Sequence, residues 1–404
     1  MNQPPPRVSR APSSPRNSLD TNAQLIVDQV LETAHAQRAS DIHIEPLADR
    51  AVIRLRIDGR LHVLSYHPLD LLPQMISRLK VLARMDISEK RLPQDGRFST
   101  NTVEGPRDYR VATVPMLEGE KAVVRVLMQN LSKLDFRRVG YTERNIQLYE
   151  ALLNKPHGLL LHCGPTGSGK TTSLYAAINY LRQDWRNIQT IEDPVEGRLE
   201  GVNQAQVNVD IGLTFAKLLR GFLRQDCDII LVGEIRDPET AALAVQASLT
   251  GHLVLGTIHT NSAIGAVARL AEMGVPSFFF GTALLGSISQ RLVRRLCKTC
   301  RRPYTPSQEM QQQYGLRPEH VFYAAVGCNE CNNSGFKGRV GIQEVLSITP
   351  ELRDAICKNM PEPELNRLSL QSGFVNMFRD GLAKAVMGHT TIEDVYAAVR
   401  ADGT

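Results

Sequence analysis

The sequence predicts an α/β protein in which a parallel sheet with a nucleotide-binding loop follows a smaller α+β domain. Three observations predict it. Gly164-Pro165-Thr166-Gly167-Ser168-Gly169-Lys170-Thr171 fits the phosphate-binding loop G-x-x-x-x-G-K-[ST] and lies between an apolar strand run, 158–163, and a helix-forming stretch, 172–181. From Pro156 onward, strand runs at 159–162, 188–191, 229–232 and 254–257 alternate with helical stretches, the pattern of a parallel sheet flanked by helices. The part before it follows a different rule: its strand runs alternate apolar and polar residues, as half-buried strands do.

In chain order, residues 1–17 are rich in Pro, Ser and Arg without aromatic residues and are expected to form a disordered tail, 1–20. Residues 21–37 have the spacing of an amphipathic helix. Asp41-Ile42-His43-Ile44-Glu45 alternates strictly, and 51–64 does likewise, with Asp58-Gly59 as the turn of a hairpin. Residues 69–85 are helical in pattern, and strands return at 109–114 and 122–128. This makes an α+β domain over 21–130, joined through a linker at 131–155 to a nucleotide-binding core at 156–296. A cysteine module at 297–345 and short C-terminal helices at 346–404 complete the chain.

A length of 404 residues allows two or three domains with their own cores. The 42% apolar and 22% charged content is ordinary for a globular protein. The net charge of +5 is spread along the chain rather than blocked, so it argues for neither nucleic acid nor a membrane surface. The amino end lacks an apolar core segment, and the longest apolar stretch, 275–288, is short and broken by Gly281 and Gly286; a cytoplasmic location is expected. Four of the seven cysteines fall in two C-x-x-C pairs, which fits a reducing compartment and a metal better than a disulfide framework.

The chemistry follows from residue type and place. In the phosphate loop, glycines let the backbone turn and aim N–H groups at phosphate oxygens. Lys170 reaches the β and γ phosphates, Thr171 offers its hydroxyl to Mg²⁺, and the helix starting there, with Thr172, presents its positive end to the anion. The strand 228–232 delivers Glu234 to the carboxyl edge of the sheet, where it can polarise water or hold Mg²⁺ through water. Glu192-Asp193-Pro194-Val195-Glu196 also follows a strand and reads either as a solvated turn or as three carboxylates at the same edge. His259 ends the strand 253–258 and is either structural or part of the site. Cys297-x-x-Cys300 and Cys328-x-x-Cys331 fit a closed tetrahedral Zn²⁺ site, with a redox dithiol as the alternative; Cys163, Cys227 and Cys357 are expected to pack.

Taken together with Ala39-Ser40-Asp41-Ile42-His43-Ile44-Glu45-Pro46, Arg91-Leu92-Pro93-Gln94-Asp95-Gly96-Arg97, Val232-Gly233-Glu234-Ile235-Arg236-Asp237 and Thr257-Ile258-His259-Thr260-Asn261, these segments resemble the GspE/PilB family of type II secretion and type IV pilus assembly ATPases, a branch of the RecA-like secretion ATPases. The resemblance runs from Ala39 to Val399. It implies a PAS-like first domain, a RecA-like P-loop domain, a Cys₄ zinc module and terminal helices. Glu192, Asp193 and Glu196 would form the aspartate box, Glu234 would activate water as the Walker B glutamate, and His259 would sense the γ-phosphate. Arg97 and Arg110 are the residues it nominates for stabilising transition-state charge.

With ATP, Mg²⁺ and Zn²⁺, such a protein works as a hexameric ring on an inner-membrane platform protein, peripheral to the membrane and without direct contact to nucleic acid. The expected output is assembly of a type II secretion pseudopilus, with a type IV or DNA-uptake pilus motor as the alternative, and a non-hydrolysing scaffold as the alternative of another class. A GTPase lacks support, since no N-K-x-D segment follows the loop. Two departures stand out: no additional leading domain is expected before residue 20, and Cys227 occupies a position where the resemblance leads to proline.

Overall fold

The computed structural model describes residues 23–102, 105–127, 131–317 and 319–400. The expected tail at 1–20 lies outside the described residues, as does Met128 at the end of the strand expected at 122–128. The chain divides into two compact units between 127 and 128.

The first unit is a six-stranded antiparallel sheet. Its strands are β1 (Asp41–Pro46), β2 (Ala51–Ile57), β3 (Arg60–His67), β4 (Gln94–Thr102), β5 (Gly105–Met116) and β6 (Gly119–Val126), in the order β3-β2-β1-β6-β5-β4. Alternation along β1 drives the layering. Ile42 and Ile44 join the apolar cluster formed with the helices Ala23–Ala36 and Leu72–Ala83, while Asp41, His43 and Glu45 project to the other face. The β2–β3 hairpin turns as its sequence requires: Asp58 and Gly59 both have left-handed φ, 50° and 88°, the pair a two-residue I′ turn needs. β4 was not anticipated, because Gln94-Asp95-Gly96-Arg97-Phe98-Ser99-Thr100-Asn101-Thr102 has only Phe98 to bury.

The second unit is built on a seven-stranded sheet. Its strands in chain order are β7 (Gly158–Cys163), β8 (Ile188–Glu192), β9 (Asn203–Gln206), β10 (Ile229–Val232), β11 (Leu253–Ile258) and β12 (Leu284–Leu296). A small ribbon of β13 (Arg302–Tyr304) and β14 (Phe322–Ala324) follows, and β15 (Phe336–Ser347) returns to the main sheet. The order is β15-β12-β7-β11-β10-β8-β9, parallel throughout except for the β12–β15 pair. The four strands expected from apolar runs are all present, and β9, β12 and β15 add to them.

Helices cover both faces, so β10 is apolar throughout rather than alternating, and β7 and β11 are buried along their whole length with only His162 and Thr257 polar. Leu159, Leu161 and Cys163 of β7 face one cluster, with the helices Phe215–Phe222 and Pro238–Leu249; Leu160 faces the other, with the helices Glu143–Leu153 and Lys170–Leu181. Each of these fully buried leucines contributes about 2 kcal/mol by removal of apolar surface from water. Helix starts are marked by their caps: Thr142, Thr214, Asp237 and Thr349 each accept a hydrogen bond from a first-turn N–H, and Pro238 and Pro350 occupy the first turn, where no donor is needed.

The segment 297–335 leaves the sheet from β12 and re-enters it through β15. Behind β15, Lys384 Nζ donates to Asp380 Oδ2 (2.6 Å), Gly341 O (2.7 Å) and Gln343 Oε1 (2.8 Å), and Asn145 Nδ2 donates to Asp380 Oδ1 (3.1 Å). This buried ion pair is tolerated because each partner is also hydrogen-bonded, and it joins the helices Glu143–Leu153 and Met377–Val386 to the sheet.

Candidate functional site

The phosphate loop leaves the carboxyl end of β7 and enters the helix Lys170–Leu181. Gly167 and Gly169 have φ of 78° and 90°, a region in which a side chain would be strained. A Cβ on Gly167 would point into open space, whereas one on Gly169 would lie 2.6 Å from Gln290 Nε2. Pro165, Thr166 and Gly167 are exposed, while Ser168 is buried and its Oγ has no hydrogen-bond partner among the described residues. Lys170 Nζ folds back on the loop, donating to Gly164 O (2.6 Å) and Pro165 O (3.0 Å). Its burial lowers the ammonium pKa, which the charge of Glu234 partly restores. Thr171 and Thr172 are half-buried in the first turn. An open, donor-rich turn at a helix N-terminus, with a lysine held by two carbonyls of the same loop, fits a polyphosphate.

Glu234 follows β10 and meets His259, which follows β11, with Nε2 at 2.9 Å from Glu234 Oε1. Arg236 Nε also contacts Glu234. The glutamate side chain is 16% exposed and the histidine 44%, so both are reachable from solvent at the sheet edge. The chain holds this corner through Ile235 N donating to Thr257 O (2.8 Å) and Thr257 Oγ1 donating to Gly233 O (2.6 Å).

The carboxylates after β8 separate. Glu192 is buried, accepting from Thr190 Oγ1 (2.6 Å), Gln204 Nε2 (3.1 Å) and the phenol of Tyr175 on the phosphate-loop helix. Burial and the neighbouring Glu192 charge push the Tyr175 pKa up, so the phenol is a neutral donor. Glu192 therefore ties that helix to β8, a positioning role. Asp193 is exposed and Glu196 half-buried, in a loop whose N–H groups at Val195 and Leu199 are held by Gln206 Oε1 (3.2 Å) and Gln204 Oε1 (2.7 Å). Asp237 caps the helix Pro238–Leu249, accepting from Thr240 N and Oγ1 at 2.8 Å each.

Arg97 and Arg110 lie in the first unit, directly opposite each other in the β4–β5 register. Arg110 Nη2 is 3.5 Å from Asp95 Oδ1. The row continues to Arg125 on β6 and Asp41 on β1, where Arg125 Nε donates to Asp41 Oδ1 at 2.9 Å.

Several supporting residues escaped sequence reasoning. Gln290 of β12 is completely buried, and it accepts from Ser173 Oγ (2.6 Å) and donates to Ser168 O (2.9 Å). The polar run Ser287-Ile288-Ser289-Gln290-Arg291 within an apolar stretch is the signal that was available, since buried polar groups require partners.

The four cysteines converge. Their sulfurs all lie within 4.8 Å of one another, with Cys297–Cys328 at 3.9 Å, Cys300–Cys331 at 3.8 Å and Cys328–Cys331 at 3.7 Å. Four sulfurs at about 2.3 Å from a tetrahedral ion would be about 3.8 Å apart, whereas a disulfide would need about 2.05 Å. Backbone N–H groups of Gly327, Cys328 and Gly335 point at Cys300 and Cys331 sulfurs at 3.2–3.3 Å. Burial by itself would raise the Cys331 pKa, but the N–H groups of Cys328 and Gly335, together with hydrogen bonds to the Cys328 and Cys300 sulfurs, outweigh it and favour the thiolate. The donor set thus fits a thiophilic metal. Of the flanking arginines, Arg294 pairs with Asp394 (2.6 and 2.8 Å) and Arg301 stacks on Tyr323.

Comparison with known proteins decides the family. The family described as "Type II/IV secretion system protein" matches residues 17–397. The chain belongs to this family. Type II secretion system protein E of Dickeya dadantii is 47% identical over 92% of this chain and 74% of its own length. The type IV pilus assembly ATPase PilB of Acinetobacter baylyi is 45% identical over 91% of this chain and 65% of its own length. Among solved structures, the pilus retraction motor PilT with bound ADP superposes with a TM-score of 0.63 at 28% identity, covering 92% of this chain and 96% of that one. The protein is accordingly an ATPase of the secretion and pilus-assembly class, with a PAS-like unit before a RecA-like P-loop unit. Among the described residues of this secretion ATPase, no helix is long and apolar enough to cross a membrane.

Proposed function

We propose that this secretion ATPase is a cytoplasmic, hexameric motor whose ATP hydrolysis drives assembly of a type II secretion pseudopilus. The observation that carries the reading is the 2.9 Å contact between Glu234 and His259 at the sheet edge, beside the lysine of the phosphate loop. ATP phosphates lie over 164–171. Lys170 exchanges the carbonyls of Gly164 and Pro165 for β and γ oxygens, and the N–H groups of the loop complete the cradle. Mg²⁺ at the Thr171 hydroxyl, with Thr172 beside it, supplies charge neutralisation when bound. Glu234 orients the attacking water and takes its proton, and His259, hydrogen-bonded to it, responds to whether the γ-phosphate is present. Asp193 and Glu196 support the same edge, with Glu192 fixing the helix behind it. Arg97 and Arg110 supply the cations that stabilise transition-state charge.

Zn²⁺ at Cys297, Cys300, Cys328 and Cys331 supplies a closed structural crosslink. The ring is peripheral to the inner membrane, recruited by the cytoplasmic part of a platform protein, and makes no direct contact with nucleic acid. The likeness to PilB supports a pilus-assembly motor as the second reading. Co-purification with the inner-membrane proteins of each system separates them: retention by a secretion-type platform protein is the expected result, and retention by a pilus-type protein alone would replace it with the second reading.

A further inference from the structure

We infer that β12 is the positioning strand of the ATPase site, with Gln290 on one face setting the phosphate loop and Ser287, Ser289 and Arg291 on the other setting the loop that carries His259. The inference rests on the reading of 164–171 as the nucleotide site. β12 runs parallel to β7, with Ile288 opposite His162 and Ser289 opposite Cys163, where β7 ends. β12 continues to Leu296, so Gln290 is the first residue to run beside the phosphate loop instead of beside a strand. A Cβ on Gly164 would lie 2.7 Å from Gln290 O, and one on Gly169 2.6 Å from Gln290 Nε2. The strand therefore presses on both ends of the loop.

The side chain of Gln290 then does two things. Its carbonyl oxygen accepts from Ser173 Oγ on the helix, and its amide donates to Ser168 O. In a trans peptide the carbonyl of one residue and the N–H of the next point in opposite directions. Holding Ser168 O against β12 thus aims the Gly169 N–H away from the strand, toward the phosphate side of the loop. A phosphate at this position meets a donor whose direction is already fixed, so no ordering cost remains to be met on binding.

The opposite face addresses the other loop. Ser287 Oγ donates to Ala263 O (2.7 Å), Ser289 Oγ to Asn261 O (3.3 Å), and Arg291 Nη2 to Asn261 O (3.2 Å). Glu344, opposite Ser289 on β15, accepts from Ala263 N (2.7 Å). Residues 261–263 directly follow His259-Thr260, so the height of His259 relative to Gly169 is set by one strand whose alternate residues hold both. A single rigid strand keeps the phosphate loop and the histidine at a fixed separation, as a site acting on one transferred phosphoryl group requires.

The two faces predict separable defects, measured on the full-length, zinc-loaded protein with ADP and ATP as probes. Gln290→Leu is expected to weaken both nucleotides by about tenfold, because two buried groups lose their partner. Ser287→Ala is expected to leave the ADP Kd within about twofold and lower kcat at saturating ATP by about fivefold or more, since only the histidine loop relaxes. Ser173→Ala removes the same helix contact without touching β12 and reports on it should Gln290→Leu fail to fold. Wild-type ADP affinity in Gln290→Leu, or in Ser173→Ala should Gln290→Leu fail to fold, would overturn the inference, and so would a Ser287→Ala protein that loses ADP by about tenfold or more. Lys170→Ala separates the premise from the inference: it is expected to lose both nucleotides, and retained binding there would instead overturn the nucleotide assignment of the loop.

Discussion

A Glu234→Gln protein is expected to bind ATP as the wild type does and to turn it over at least about 100-fold more slowly, the lower end of what a positioned general base contributes. The substitution keeps the shape of the side chain and leaves an oxygen to accept from His259 Nε2, now 2.9 Å from Glu234 Oε1. It removes the charge that pairs with Arg236 and that is felt by Lys170. Water near the γ-phosphate then loses its proton acceptor, whereas the loop that holds the phosphates is unchanged. Filter binding and phosphate release on the same preparation check both halves. Undiminished release would remove Glu234 from the mechanism.

Stripping the metal should have the second largest effect. The segment 297–335 is held by the cysteines at one end and, further along, by an apolar cluster in which Leu316 and Phe322 pack with Met377, Ile392 and Val395. Its own regular structure is slight, since β13 and β14 are three residues each and a two-stranded ribbon is marginal on its own. Its outward polar contacts, such as Arg301 Nη1 to Met387 O (3.5 Å) and Tyr304 OH to Glu393 Oε1 (3.4 Å), depend on the segment keeping its place. Structural Cys₄ sites contribute folding energy directly. The purified protein is expected to carry about one zinc per chain, and Cys328→Ser or strong chelation is expected to release it, lower the melting temperature and open 297–335 to protease. Identical melting and digestion with and without metal would contradict a structural role.

How much of this was legible in the sequence depends on where each residue finds its partner. The phosphate loop and each C-x-x-C pair are patterns of consecutive residues, and the apolar strands β7, β8, β10 and β11 follow from their runs of apolar residues. Glu192 shows the limit. As a carboxylate at a strand end it reads like Glu234, yet its partners Tyr175, Thr190 and Gln204 lie on three different elements, and they make it an anchor. β12 shows the same limit from the other side: Ser287, Ser289, Gln290 and Arg291 look too polar for an interior strand until the carbonyls of Ser168, Asn261 and Ala263 are placed around them. Asp237, which belongs to the motif containing Glu234, proved to be a helix cap whose chemistry is local. Arg97 and Arg110 were legible as candidates, and their register with Arg125 and Asp41 became visible only with the pairing of four strands.

The central claim is that ATP is cleaved at the phosphate loop of the second unit. Its most direct test is phosphate release from ATP and Mg²⁺ by zinc-replete protein, wild type against Lys170→Ala, with nucleotide binding measured in parallel. The account predicts steady release by the wild type and the loss of both binding and release in the variant. No release by the wild type, or release undiminished in Lys170→Ala, would contradict it.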